Sequence, residues 1–373
     1  MGYKFLVTSP FKRKVFDTIN ILRKYYHENE IIIVSHVASD NVRGKIELIY
    51  GVDINIILPV PKEDNSQLFD RIANYFPKHQ IIFIPTEEDD IISFLNYLKV
   101  GNKRASYLYI LEDLEKFNSI RNKNLLSKLC KIHQIPHPKI YDSFEEIRKS
   151  CPEDHRLVLK PKIGDGARGI RYVEKKELNI KNFEKILNQG YIIQDYVENS
   201  GVRGYFALSI NGKVLQRYTH KRKLTYPSSG GVSVWSEFNF DEEIMKAGDD
   251  VISKLDYSGL IMLEFLFDEK QRQYKLLEAN PRIWGSILAS EKSGTQLLKN
   301  YINVCRNKPI VQQEKVEGNL IWFFPYGLLN LFKINFILKC FHKNTVFVNF
   351  TYARIFKAIL FKILVYFPRL LKR

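Results

Sequence analysis

Two carboxylates set in apolar surroundings are the first residues of this chain that could do chemistry. Glu264 stands in Leu263-Glu264-Phe265, and Glu278 in Leu276-Leu277-Glu278-Ala279-Asn280-Pro281-Arg282. An acid in the middle of an apolar strand is costly unless it is paired or bound to a metal. The connector Asp268-Glu269-Lys270-Gln271-Arg272 reads as a hairpin loop. Pairing the two strands would bring the carboxylates side by side, where they repel unless a cation lies between them. Asn280 is two residues beyond Glu278, so it points to the same face and adds a neutral oxygen. Glu264, Glu278 and Asn280 suit Mg²⁺, which takes a few protein oxygens together with substrate phosphates.

A second constellation is Lys160-Pro161-Lys162-Ile163-Gly164-Asp165-Gly166-Ala167-Arg168-Gly169. A dinucleotide fingerprint of this spacing needs a helix after its glycines. Here Ile170-Arg171-Tyr172-Val173 follows, which reads as another strand. Strand, glycine loop, strand describes a flap over phosphates. Gly164, Gly166 and Gly169 would let backbone N–H groups approach phosphate oxygens, and Lys160 would reach the same charge. Together the two constellations suggest a nucleoside triphosphate held by a lysine and a glycine flap, with magnesium opposite. The HRD and DFG motifs of a protein kinase are absent, as is the GxxxxGK[ST] of a P-loop enzyme. No Ser-His-Asp or Cys-His nucleophile signature is evident either.

Elements that could position these groups follow from periodicity. Lys4–Thr8, Ile31–Val34, Ile54–Leu58 and Ile81–Ile84 are apolar runs with amphipathic stretches between them, such as Val15, Ile19, Leu22 and Tyr26. This alternation predicts a Rossmann-like parallel sheet over residues 1–112. Its first strand leads into Thr8-Ser9-Pro10-Phe11, with no glycine-rich turn for a dinucleotide pyrophosphate. A helix carrying Leu125, Leu126 and Leu129 ends near Ile135-Pro136-His137-Pro138. Beyond it, strand-like runs and the hairpin signal Asn211-Gly212 predict mostly antiparallel sheet. The expected fold class is α/β plus α+β.

The chain has 373 residues, 45% apolar and 26% charged, which is ordinary globular usage and enough for two to three domains. Of its 57 basic residues, nine lie from Leu320 onward, where there are no acids; the 48 others against 41 acids leave the first 319 residues at +7 of the total +16. The basic excess belongs largely to the C-terminal stretch and speaks against a nucleic-acid groove across the body. Cys130, Cys151, Cys305 and Cys340 form no CxxC pair, and no histidine is read near them at ligand spacing, so a zinc site is not expected. Scattered thiols suit a cytoplasmic protein, and the N-terminal residues suggest neither signal peptide nor myristoylation site.

The ordered series over residues 1 to 305 resembles the ATP-grasp superfamily, most specifically through Leu277-Glu278-Ala279-Asn280-Pro281-Arg282. Within it the chain looks most like carboxylate–amine ligase-like proteins related to carbamoyl phosphate synthase, which share Tyr226-Pro227-Ser228-Ser229-Gly230-Gly231 and the run from Asn280 to Ser286. The resemblance implies a pre-ATP-grasp domain (1–112), an ATP-grasp domain (113–310) with a lid at about 140–197, and ATP and Mg²⁺ as cofactors. Asn122-Lys123 matches an Asp-Lys pair whose lysine contacts phosphate; the first residue departs. Lys160 matches the second phosphate lysine. Gln194, Asp195, Tyr196 and Val197 match the hinge strand that reads adenine, with Gln194 where glutamate is usual, and Glu198 is a candidate for the ribose-binding acid. Glu264, Glu278 and Asn280 match metal ligands, and Arg282 matches an arginine near the acyl phosphate or carboxylate. Arg222, with Gly230 and Gly231, is expected to meet an anionic substrate group; a solvated basic turn is the other reading of Arg222.

The chemistry so implied is phosphoryl transfer from ATP to a carboxylate, then attack by an amine. Its alternative is a non-catalytic nucleotide-binding or membrane-associated partner protein that kept the fold. Residues 311–373 read as a basic, hydrophobic tail. Its run Ile355–Phe367 is interrupted by Lys357 and Lys362 and is too short to span a bilayer. An interfacial helix on anionic lipid and a helix packed on the body or a second subunit are both open. Partners are expected to be small carboxylate and amine substrates, with peripheral membrane contact through the tail as the added option and no nucleic acid.

Overall fold

The computed structural model describes residues 2–37, 40–60, 64–100, 106–164, 168–199, 201–226, 232–322, 330 and 334–348. The first sheet is parallel: β1 (Gly2–Thr8), β2 (Ile31–Val34), β3 (Asn55–Ile57), β4 (His79–Phe83) and β5 (Tyr107–Leu108), in the order β3-β2-β1-β4-β5. Between the strands run α1 (Arg13–Tyr25), α2 (Asp40–Tyr50), α3 (Asn65–Tyr75) and α4 (Glu88–Val100). Phe5, Val7, Ile31, Ile33 and Ile82 enter one core; Leu6, Ile32, Val34, Ile81 and Phe83 enter another. Both faces are covered, which is why these strands read as continuous apolar runs.

Two helices, α5 (Leu114–Arg121) and α6 (Lys123–Ile132), lead to a small antiparallel sheet. Its elements are β6 (Ile140–Tyr141), α7 (Phe144–Ser150), β7 (Arg156–Pro161), β8 (Arg171–Glu174), α8 (Ile180–Asn188) and β9 (Tyr191–Asp195), with strand order β6-β9-β7-β8. It has its own core of Tyr141, Ile147, Leu157, Leu159, Phe183 and Ile193.

The third sheet follows β10 (Val202–Ile210), β11 (Lys213–Tyr226), β12 (Val232–Asn239), α9 (Glu242–Lys254), β13 (Gly259–Asp268), β14 (Gln273–Asn280), α10 (Leu288–Lys292), α11 (Leu297–Cys305), β15 (Gly318–Trp322), α12 (Ile334–Cys340) and β16 (Thr345–Val348). Seven strands lie in the order β14-β13-β10-β11-β12-β15-β16, antiparallel except for β15 with β16. At the β10–β11 turn, Asn211 and Gly212 both take positive φ, 48° and 69°, as a tight hairpin requires. The expectation of α/β plus α+β holds.

One boundary differs. The sequence reading set residues 311–373 apart as a tail, yet β15 pairs with β12 and β16 extends the same sheet. Ile321 and Val348 are fully buried there, so the apolar content up to 348 serves the body. The run from 355 to 367 lies outside the described residues.

The first and third sheets share a core in which Phe206, Tyr218, Trp284 and Tyr301 join Phe5 and Val15. Polar ties reinforce the contact. The Ile283 N–H donates to Pro85 O at 2.8 Å, Arg13 Nη2 to Gly285 O at 2.8 Å, and the Tyr301 hydroxyl to Phe83 O at 2.9 Å. The segment after β14 is thereby docked on the loop after β4.

Candidate active site

Glu264 and Glu278 are direct cross-strand partners on β13 and β14, beside a bulge that separates Glu264 from Phe265. The same row continues through Gly204 on β10 to His220 on β11. A Cβ on Gly204 would lie 2.5 Å from the His220 ring, so the glycine makes room for the imidazole. Neither ring nitrogen of His220 has a hydrogen-bond partner among the described residues. Burial, with Arg222 adding, pushes His220 down to about 3, so the ring is neutral at physiological pH.

The two carboxylates share the floor unequally. Glu264 is only 6% exposed, and burial pushes it up to about 7 against the pull of Arg222, with Glu278 pushing the same way. Arg222 Nη2 donates to Glu264 Oε1. Burial works to raise Glu278 as well, but Lys123, the Asn280 amide, Lys160 and Arg222 outweigh it and hold its pKa below the usual carboxylate value. Lys123 Nζ lies 3.3 Å from Glu278 Oε2, and Asn280 Nδ2 donates to Glu278 Oε1 at 3.1 Å. Removing an ion from water costs several kcal/mol, so such a pair persists only with cations close by. Here the cations come from three separate stretches of sequence.

Lys160 stands near the end of β7, 4% exposed. Burial lowers its pKa to about 7; Lys123 pushes it the same way, while Glu278 and Glu264 pull it up. Lys123 opens α6, whose cap is Asn122: the Asn122 side chain accepts from the N–H groups of Asn124 and Leu125 at 3.0 and 3.3 Å. Asparagine caps as well as aspartate, so the departure at this position leaves the helix start intact. Lys123 Nζ donates to Gly164 O at 2.9 Å, and its N–H to Lys162 O at 2.9 Å. The root of the glycine loop is therefore tied to α6.

β7 and β8 are paired antiparallel with the glycine loop between them, the flap arrangement expected. Gly169 has φ +78°, a conformation side chains rarely adopt. Gly166 lies outside the described residues, as do Gly230 and Gly231.

The hinge strand is assembled differently from its expected use. Gln194 is buried, with Nε2 3.5 Å from Pro138 O. The Asp195 and Tyr196 N–H groups donate to Lys139 O and Arg156 O, so their donors are spent inside the lid. The Asp195 carboxylate accepts from Tyr141 at 2.6 Å and meets His155 Nε2 at 2.9 Å. Arg156 lies over the Tyr196 ring, 4.0 Å from its centroid. Val197 is buried, and Glu198 is exposed, 3.7 Å from Lys270. The absence of a histidine near the cysteines also needs correcting. Cys151 and His155 are four residues apart, and the turn between them carries both to Asp195.

Arg282 is 5% exposed and spans two sheets. Its Nη2 donates to Asn280 Oδ1 at 3.2 Å and its Nε to Glu88 Oε1 at 3.2 Å; the other Glu88 oxygen is 3.2 Å from Arg121 Nε. Glu88 is the group that the sequence reading missed. It begins α4 in Glu87-Glu88-Asp89-Asp90, an acidic first turn that favours the helix dipole on its own. Only domain docking shows that it also orients Arg282. Arg222, assigned to an anionic substrate group, is placed on Glu264 and thus belongs to the carboxylate floor.

A flap lysine, an α6 lysine and paired floor carboxylates between a small lid sheet and a large antiparallel sheet define an ATP-grasp domain. Residues 120–286 match the family model for the ATP-grasp domain, and the chain has the ATP-grasp fold. Among solved structures it is similar to the biotin carboxylase–β,γ-ATP complex of Campylobacter jejuni, with 16% identity and TM-score 0.63, over 85% of this chain and 74% of that one. It is also similar to the biotin carboxylase domain of Hydrogenobacter thermophilus 2-oxoglutarate carboxylase, a dimer in complex with MgADP, ADP and bicarbonate; there the identity is 12% and the TM-score 0.62, over 86% and 74%. The L-amino acid ligase of Bacillus licheniformis follows with 15% identity and TM-score 0.56, over 84% and 75%. At such identities the likeness establishes the fold. A search of the curated proteins found no match.

Proposed function

We propose that this protein is an ATP- and Mg²⁺-dependent ligase that activates a carboxylate as an acyl phosphate for attack by an amine. The observation that carries the reading is the Glu264–Glu278 pair, set side by side beneath Lys123 and Lys160. The donor set fits the metal: two carboxylates and an amide oxygen are hard ligands of the kind Mg²⁺ takes. Glu264, Glu278 and Asn280 would hold it, and the chemistry it supplies there is neutralisation of phosphate charge. The protein's own groups do the rest. Lys123 and Lys160 meet the transferring and leaving phosphates, and the flap N–H groups close over them. Gln194 would meet the adenine edge through its side-chain oxygen, since the Asp195 and Tyr196 N–H groups are bonded inside the lid. Arg282, braced by Glu88, meets the carboxylate end. Arg222 holds Glu264 on the floor. Closure of the lid keeps water from the acyl phosphate.

The names of the structural neighbours include carboxylases and an amino acid ligase, which supports this reaction class. The test is a screen of amino acids and small acids for ADP release by the full chain. A ligase forms ADP and phosphate when an acid and an amine are supplied together. Nucleotide binding with no such release across the screen would favour a non-catalytic partner protein instead. For residues beyond 348, truncation after Val348 with liposome flotation tests the interfacial helix; unchanged lipid binding rejects it. Among the described residues no helix is long and apolar enough to cross a membrane.

A further inference from the structure

We propose that the lid carries a transition-metal site, taking Zn²⁺ through Cys151, His155 and Asp195, separate from the Mg²⁺ floor. The three ligand atoms, a sulfur, a nitrogen and a carboxylate oxygen, lie within 4.8 Å of one another. Tetrahedral zinc has bond lengths of about 2.0–2.3 Å, so an ion joining these atoms draws the widest pair together by about 1 Å and parts His155 Nε2 from Asp195. The Tyr141 hydroxyl sits among them, 3.0 Å from Cys151 Sγ and 2.6 Å from Asp195. That leaves the fourth position to Tyr141 or to water.

The ligands are held from behind. Lys175 Nζ donates to Cys151 O at 2.6 Å, and the Lys175 N–H to His155 O at 2.9 Å, so one residue fixes both ends of the 151–155 turn. Cys151 also closes α7, its N–H donating to Ile147 O at 3.0 Å. Asp195 is fixed through its own N–H to Lys139 O at 2.8 Å. Cys151 is 7% exposed, whereas the His155 and Asp195 side chains keep 29% and 27% of their surface, which gives an ion a way in.

The donor set decides the metal. A thiolate and an imidazole favour Zn²⁺ over Mg²⁺, while the all-oxygen floor favours the reverse. On binding, the Cys151 thiol gives up its proton to solvent, and the His155 Nε2 lone pair and the Asp195 carboxylate exchange their mutual contact for the ion. Asp195 ends β9, so the metal would fasten the α7–β7 turn to that strand.

The test uses the full chain, stripped with a chelator and titrated with ZnCl₂, and then with CoCl₂ as a spectroscopic probe. The expected result is one equivalent bound per chain, a thiolate-to-Co²⁺ charge-transfer band, and a rise in melting temperature with Zn²⁺. Cys151→Ser should remove the band, and His155→Gln should weaken binding by at least about tenfold. Glu278→Gln should keep band and stoichiometry, which separates this site from the floor. If a variant fails to fold, the wild-type band and stoichiometry still decide. Absence of the band, or binding that survives both lid substitutions unchanged, overturns the proposal.

Discussion

The floor and the lid present their functional groups in opposite ways. On the floor the work falls to side chains: the Glu264 and Glu278 carboxyl groups are answered by Lys123 and Arg222, and by Lys160 reaching over from lid strand β7. In the lid much of it falls to backbone: β7 and β8 position a glycine loop, and the hinge residues turn their side chains to Arg156, His155 and Tyr141. A side-chain charge in a dry site is hard to replace, because its partners are left buried and unpaired. A backbone donor survives most substitutions. Changes to the charged side chains should therefore cost far more than changes to the lid backbone, and four variants test that ordering.

Glu278→Gln should have the largest effect, lowering substrate-dependent ADP formation by about 10³-fold. It removes the anion 3.3 Å from Lys123 and leaves Lys160 with less opposing charge. Wild-type turnover in a steady-state ADP assay would remove the metal assignment altogether.

Lys160→Met comes next, with a loss of about 10²-fold. Unlike the first, it should stabilise the nucleotide-free protein, since it removes a buried amine whose pKa has fallen to about 7. In the unfolded chain the amine titrates near 10.5. Between these values the unfolded state binds the extra proton, so its penalty on folding is full below about pH 7 and fades as pH rises toward 10.5. The melting-temperature advantage of the variant should thus be greatest at pH 7 or below and shrink in alkali. An advantage that grows with pH would refute the burial argument.

These two positions were legible in the sequence because an acid in an apolar strand, or a lysine at a strand end before a glycine loop, is an energetic anomaly visible locally. Strand pairing then followed from the hairpin connector. Long-range relations were not legible. Glu88 sits 194 residues from Arg282 and reads as a helix start on its own. The four-residue spacing of Cys151 and His155 was visible and passed over; what no local signal could show is Asp195, 40 residues beyond His155. β15 and β16 looked like a tail because their pairing partner is set by docking and not by a nearby turn.

Glu88→Gln should have an intermediate effect. Arg282 keeps its contacts to Asn280 Oδ1 and Ile283 O, so the guanidinium loosens without leaving. A loss of about tenfold in kcat/KM is expected, carried by KM for the carboxylate and not by KM for ATP. A change confined to ATP would place Arg282 at the wrong end of the reaction.

Gly169→Ala should be the mildest, because the flap acts through main chain. The substitution forces φ +78° on a residue with a Cβ, and that Cβ would lie 3.0 Å from Tyr191 Oη and 3.2 Å from Pro161 Cγ. A left-handed conformation at a non-glycine residue costs about 1 kcal/mol, and the crowding adds to it. ATP affinity should weaken a few-fold while turnover at saturating ATP stays close to wild type. The two costs can be separated, since Tyr191→Phe removes the crowding oxygen and leaves the backbone strain. In a double-mutant cycle, Gly169→Ala should therefore be milder when combined with Tyr191→Phe than when made alone. Were it equally costly in that combination, strain alone would govern the flap; were it to abolish turnover, the flap would belong with the floor, and the division between side-chain and backbone function would fail.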